Sequence, residues 1–137
     1  MASYLIDKSA LARMQQQAIA ERLGPIIEDG EAATCALIEL EVLYSARNAA
    51  AHERLRRRRE LAYERVELAE TTFERAIEVQ GLLARTGRHR IPIPDLVIAA
   101  AAEQAGLTVL HYDSDFDAIS DVTGQAVEWV VPRGSAE

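Results

Sequence analysis

Apolar residues along the chain fall into two rhythms. Short runs at "SYLID" (3–7), "EAATCAL" (31–37), "LTVLHY" (107–112) and "AVEWVV" (126–131) have the length and composition of buried strands. Between the first two, Leu11, Met14, Ala18 and Leu23 recur at near-helical spacing over 9–24, with Ser9 placed to cap the start and Gly24-Pro25 to stop the end. A further helical turn, "PIIEDG", follows. "IELEVLYSARN" (38–48) predicts a helix that is apolar on most sides and therefore sandwiched in the core. From Ala49 to about Arg85 the pattern predicts a helical pair with a break near 69–72. "IPIPDLVIAAAAEQAG" (91–106) predicts a loop and then a strongly apolar helix, opened near Pro94 and stopped at Gly106. "DFDAISDVTG" (115–124) predicts a short helix or turn. Strands alternating with helices imply an α/β fold around a mostly parallel sheet. In such sheets ligands sit outside the carboxyl ends of the strands.

At 137 residues one domain is expected, over 1–132, followed by a flexible tail at 133–137. A chain of this length buries roughly 68% of the surface its unfolded form exposes, so no disulfide or metal is needed to hold a core. The single cysteine, Cys35, has apolar neighbours and fits a buried small residue in a reducing compartment. The first residues lack a charged region followed by a long apolar one, and no apolar run nears the roughly 20 residues of a membrane span, so a cytoplasmic protein with no membrane partner is expected. The formal net charge of −7 speaks against a general nucleic-acid binder. That charge is uneven, however, since "ERLRRRRE" (53–60) and "RTGRHR" (85–90) are local basic patches.

Acidic residues stand where strands are expected to end. Asp7 closes the first strand, Asp113 and Asp115 follow the third, and Asp95 opens the apolar helix. Each has an ordinary structural role open to it. Asp7 can cap a helix, although Ser9 competes for that position. Asp95 suits the positive end of a helix macrodipole, and Asp113 or Asp115 can close a turn. In the 38–48 helix, Glu41 shares a face with Leu37, Tyr44 and Ser45, while the face of Glu39 carries Val42 and Leu43; periodicity does not choose between them. Taken together the ordinary roles weaken, because clustered carboxylates repel and call for cations. An all-oxygen cage suits Mg²⁺ or Mn²⁺, and His52, His89 and His111 show no zinc-binding spacing. Such a cage supports phosphodiester hydrolysis by metal-activated water, with no covalent nucleophile.

Three segments, "YLIDKSAL" (4–11), "ELEVLYSAR" (39–47) and "IPDLVIAAAAEQAGLTVLHYDSDFDAI" (93–119), resemble PIN-domain ribonucleases, in particular the VapC toxins of bacterial type II toxin–antitoxin modules. The resemblance spans nearly the whole chain in order. It implies a single PIN domain, a PIN-like α/β/α sandwich with a short, mostly parallel sheet. It also implies Mg²⁺- or Mn²⁺-dependent endoribonuclease activity on structured RNA such as tRNA or rRNA, a homodimer, and inhibition by a cognate VapB-type antitoxin. The family's catalytic acids fall on Asp7, Glu41, Asp95 and Asp113, with Asp7, Asp95, Asp113 and Asp115 as metal ligands. The resemblance selects Glu41 because the family's acid directly precedes a stretch like "VLYS", and it gives Ser9 the role of orienting Asp7. Lys8 departs from the pattern, which more commonly has Thr or Ser after the first Asp.

Arg85, Arg88 and Arg90 stand just before the Asp95 helix and are expected at the rim of the acidic pocket, on RNA phosphates flanking the scissile bond. A solvated loop is the plain alternative. The four arginines 56–59 point all round a helix and can pair with Glu53, Glu60, Glu64 and Glu67. Trp129 lies in an apolar strand and is expected to pack in the core or at a dimer contact. Two other functions fit parts of the pattern. "DSD" (113–115) mimics the Asp-x-Asp of a dehalogenase-type phosphatase but follows a late strand, and a non-catalytic PIN-like interaction module would be expected to lose some of the acids.

Overall fold

Alternate residues of each strand go to opposite faces of a sheet, and in this chain both faces are covered. A computed structural model describes residues 1–137. It contains strands β1 (Tyr4–Ile6), β2 (Ala32–Thr34), β3 (Glu64–Arg65), β4 (Thr108–His111) and β5 (Val127–Trp129) in one sheet. Leu5, Ala33 and Val109 enter one core, together with residues of α3 (Ala36–Leu43), α5 (Glu70–Ala84), α6 (Ile93–Ala105) and α7 (Asp115–Thr123). Their sequence neighbours Ile6, Ala32 and Leu110 enter a second core with α1 (Lys8–Leu11) and α2 (Gln17–Glu28). Strands of three or four residues hold because burial on both sides leaves their backbone groups no partners but each other. The expected α/β/α sandwich is present, with α4 (Ala49–Ala62) packed outside against α3.

The strand order is β3-β2-β1-β4-β5 and every pairing is parallel. The chain therefore builds outward from β1 in one direction, then returns to the other side of β1 with β4. This reversal makes the carboxyl ends of β1 and β4 a topological switch point, where a crevice opens between diverging connections. Register brings Ile6 beside Leu110, and the Asp7 N–H donates to the Leu110 carbonyl at 3.0 Å.

Four expectations are corrected. Gly24-Pro25 does not stop a helix: α2 runs through both to Glu28. Pro25 and Glu21 are exposed, so the carbonyl that loses its N–H partner faces water, while Ile19, Leu23 and Ile26 continue one buried stripe across the proline. The helix expected over 9–24 is instead interrupted between Leu11 and Gln17. A fifth strand, β3, is present where none was expected. Its two residues are exposed and join the sheet through backbone alone, with Val66 N–H reaching the Thr34 carbonyl at 2.8 Å. Finally, the tail expected to be flexible is pinned. Gly134 and Ala136 N–H groups both donate to the Tyr112 hydroxyl oxygen, at 2.9 and 3.0 Å. Arg13 Nε and Gln16 Nε2 donate to the Ala136 carbonyl at 3.1 and 3.0 Å, and Ala136 is buried. Gly134 supplies the positive φ of +85° that turns the chain back onto Tyr112.

Candidate active site

Five acidic side chains gather at the switch point. Asp7 leaves β1 as the N-cap of α1, its Oδ2 accepting from the Ser9 N–H at 3.0 Å. Asp7, rather than Ser9, is thus the cap. The Ser9 hydroxyl accepts from the Tyr112 N–H at 2.9 Å, which ties the start of α1 to the end of β4. Asp113 follows β4, and its Oδ1 accepts from the Asp115 N–H at 2.9 Å. Asp95 sits in the first turn of α6, after Pro92 and Pro94 have fixed where the helix begins. Oxygens of Asp95, Asp113 and Asp115 lie within 4.8 Å of one another. Glu41, on α3, is half-buried and close enough to Asp7 and Asp95 to act on both electrostatically.

None of these five carboxylates is in an ion pair. The consequence is largest at Asp95, whose carboxyl is pushed up to about 8 by burial first and then by the charges of Asp7, Asp113, Asp115 and Glu41. Burial raises Asp7, with Asp113 adding to the rise and hydrogen bonds from Ser9 opposing it. Burial and the Asp7 charge raise Glu41, against Lys8. Burial and Asp113 raise Asp115. A pocket of oxygen donors with uncompensated negative charge fits a hard divalent cation, which would relieve the repulsion.

Glu39 has a different fate. It is buried, with both oxygens on Arg59: Nε to Oε1 at 2.9 Å and Nη2 to Oε2 at 2.7 Å. The Thr34 hydroxyl donates to Oε2 at 2.6 Å. Burial alone would raise this carboxyl, but hydrogen bonds from Arg59 and Thr34 and the Arg59 charge hold it below the usual carboxylate range. Geometry therefore separates the two glutamates that periodicity left unresolved, since Glu41 faces the acids and Glu39 an arginine.

His111 belongs to the site although the sequence offered it only as a discarded zinc ligand. It is fully buried, and its Nδ1 accepts from the Asp113 N–H at 3.1 Å. The proton thus sits on Nε2, which meets no acceptor. Burial keeps the ring neutral by lowering its pKa, against Asp117 and Asp113. Phe116 and Trp129 flank it, with centroids at 5.1 and 5.0 Å. A histidine two residues before an acid at a strand end was the available signal. Trp129 is half-buried, and its indole N–H donates to Asp117 at 3.0 Å.

The three arginines expected at the rim do not act as a unit. Arg88 turns to α7, with Nη1 on Asp121 at 3.2 Å and Nε on the Thr86 hydroxyl at 3.1 Å. Asp121 is six residues along α7 from Asp115, about 9 Å of helix, so Arg88 stands back from the acids. Arg85 and Arg90 are exposed and unpaired.

The sequence profile of the PIN domain matches residues 4–122. The chain belongs to the PIN-domain family. Within it, the chain falls among the VapC proteins: Ribonuclease VapC21 of Mycobacterium tuberculosis is 46% identical over 134 residues, covering 97% of each chain. Ribonuclease VapC51 of the same organism is 42% identical over 137 residues, covering 98% of this chain and 97% of the relative. Among solved structures, FitAB bound to an IR36 DNA fragment matches with a TM-score of 0.76 at 19% identity, over 96% of this chain and 99% of that one. DNA-bound VapBC from Salmonella typhimurium matches at 0.73 and 20%, over 96% and 100%. These structures share the fold, so the PIN-like sandwich expected from the sequence is the one observed. Asp7, Glu41, Asp95 and Asp113, the positions on which the sequence resemblance placed the family's acids, are among the five gathered here.

Proposed function

We propose that this chain is the toxin of a type II toxin–antitoxin module, an Mg²⁺- or Mn²⁺-dependent endoribonuclease that cuts structured RNA such as tRNA or rRNA. One observation carries the reading: five carboxylates without a protein cation converge at the switch point, in a chain whose relatives are named ribonucleases. Asp7, Asp95, Asp113 and Asp115 would hold the cation, which would supply polarisation of a phosphoryl oxygen and a more acidic bound water. Ser9 and His111 keep Asp7 and Asp113 in place through the hydrogen bonds described. Glu41, raised by burial and the Asp7 charge, stands among the acids where it can take the proton of the attacking water. Arg85, Arg88 and Arg90 supply cationic charge for flanking phosphates, Arg88 after exchanging its exposed pair with Asp121.

The partners proposed are a VapB-type antitoxin and a second copy of the chain. Solved VapBC complexes of the same fold support the first. Exposed Leu40, Tyr44, Ile77 and Ile93 give such assemblies apolar surface to bury. No helix is long and apolar enough to cross a membrane, and the RNA substrates proposed place the activity in the cytoplasm.

The test is incubation of the purified protein with total tRNA and rRNA in Mn²⁺ or in EDTA. Internal cuts that require Mn²⁺, mapped by sequencing new 5′ ends, are expected. Hydrolysis of p-nitrophenyl phosphate with intact RNA would replace this reading with a phosphatase. No turnover of either would leave a non-catalytic binding module. Light scattering on a sizing column reads the dimer.

A further inference from the structure

Beside the acid cluster lies a second cleft of about 240 Å³, lined by Arg13, Tyr112, Asp113, Trp129, Arg133 and Glu137. We propose that it seats a backbone phosphate of the RNA strand next to the one being cut, a reading that rests on the nuclease assignment above. Asp113 borders both the cleft and the cluster, so a strand whose scissile phosphate meets the acids continues naturally into the cleft.

The two arginines are held there by groups that leave their charge unspent. The Arg13 guanidinium lies over the Tyr112 ring at 4.4 Å, with Nε on the Ala136 carbonyl and Nη1 on the Ser9 carbonyl, both at 3.1 Å. Arg133 lies over the Trp129 ring at 5.5 Å and is exposed. Neither forms an ion pair, although the chain carries 22 acidic residues and two of them line the same cleft. Carbonyls and ring faces orient a guanidinium without neutralising it, and Arg13 Nη2 has no protein partner. The frame is rigid as well. The Tyr112 hydroxyl is held by two tail N–H groups, and Trp129 by Asp117 and the His111 ring. The pinned tail thereby acquires a use, since it forms one wall of the cleft and delivers Arg133 to it. A phosphate suits two oriented, unpaired guanidinium groups better than any neutral ligand does.

Binding is read by fluorescence anisotropy of a fluorescein-labelled single-stranded RNA in Ca²⁺, and cleavage of the same RNA in Mn²⁺. Arg133→Gln is the primary variant because its side chain is exposed and forms no hydrogen bond or ion pair in the fold. It is expected to weaken binding about five- to tenfold and to lower the slope of log affinity against log salt by about 0.7, the value for one phosphate contact on a single strand. KM should rise while kcat changes little. Glu137→Gln, which removes a competing anion from the cleft, should strengthen binding. Arg58→Gln, an exposed and unpaired arginine on α4 toward the opposite sheet edge, should change neither quantity. If Arg133→Gln binds and cuts as the wild type does, the cleft proposal is overturned while the nuclease assignment stands. Equal losses in Arg133→Gln and Arg58→Gln would overturn it in favour of general electrostatics. Unchanged RNA binding with a weakened antitoxin complex would overturn it in favour of an acidic peptide. A wild-type protein that neither binds nor cuts RNA would remove both readings together.

Discussion

Two buried carboxylates, Glu39 and Asp95, sit near the carboxyl ends of the strands, and the fold treats them in opposite ways. Glu39, beside the end of β2, receives a guanidinium on both oxygens and a hydroxyl on one. Asp95, beside the ends of β1 and β4, receives only more negative charge. Glu39 is held below the ordinary range and Asp95 is driven to about 8. Burial alone therefore does not mark a functional acid; both are buried. The mark is a missing counter-charge. A carboxylate that the protein neutralises is part of the structure. One that it leaves unneutralised among others is held at a cost to stability that a cation from outside can remove.

The comparison breaks most sharply on exchange of the two acids' environments. Asp95→Asn is expected to abolish RNA cleavage, by about a thousandfold or more, because several kcal/mol of metal-derived stabilisation are lost. It should also raise the unfolding midpoint of the metal-free protein at neutral pH, since folding no longer has to protonate a carboxyl that is ionised in the unfolded chain. Full-rate cleavage by this variant would remove Asp95 from the chemistry. Arg59→Met does the reverse to Glu39, stranding a buried charge, and should destabilise the fold by about 3–5 kcal/mol in urea titration. A loss below 1 kcal/mol, to order of magnitude, would mean that Glu39 finds water or protonates at little cost. Glu39→Gln in the Arg59→Met background should recover part of the stability, as the stranded charge is then gone.

The sequence carried one side of this comparison better than the other. Asp7, Asp113 and Asp115 were legible as acids at strand ends because strands announce themselves by burial and their ends by the first polar residue. Asp95 was legible from the apolar helix it opens. Glu41 was not separable from Glu39 by periodicity, since the helix is apolar nearly all round; the resemblance chose Glu41, and in the structure Glu39 pairs with Arg59 while Glu41 feels the charge of Asp7. The partner of Glu39 could not be read at all. Arg59 is the last of four identical neighbours, and only its phase on α4 turns it inward, 20 residues from its glutamate. The same limit hid β3 and the pinned tail. Glu64 and Arg65 have no apolar pattern, and the tail is anchored by Arg13, Gln16 and Tyr112, each distant in sequence. Local pattern reports burial, and these features depend on remote pairing.

A pH series sharpens the contrast with no substitution. The Asp95 carboxyl titrates near its ordinary 3.8 in the unfolded chain and at about 8 in the fold. The native state therefore binds more protons across that interval. Its contribution to stability is complete below about pH 4 and is lost as pH rises toward 8. Glu39, held below its ordinary 4.5, contributes stability that is present above that value and lost as pH falls through its folded value. In EDTA the protein should thus be most stable near pH 4–5 and lose several kcal/mol by pH 8, at about 1.4 kcal/mol for each pH unit crossed. Asp95→Asn should flatten most of that descent. Added Mn²⁺ should reverse it, because the ligands must be ionised to bind and the stabilisation then grows with pH. Metal-free stability that stays level or climbs between about pH 5 and 8 would contradict the uncompensated cluster.

The smallest expected effect tests whether the counter-charge or mere charge pairing matters. Arg57 lies two residues from Arg59 on the same helix and pairs with Glu53 at 3.0 Å, one turn away. Its side chain is 76% exposed, whereas that of Arg59 is 6% exposed. In water the pair gains little Coulomb energy, and ordering two long side chains offsets most of it. Arg57→Met should therefore change stability by less than about 0.5 kcal/mol, the range of exposed i,i+4 pairs, and that difference should vanish at high salt. The Arg59→Met loss should persist at high salt, because ions do not reach a buried pair. If the two variants lose similar stability, or if salt erases both losses, Glu39 is not held by a desolvated counter-charge. The distinction between a neutralised structural acid and an open acidic site would then rest on the cluster alone.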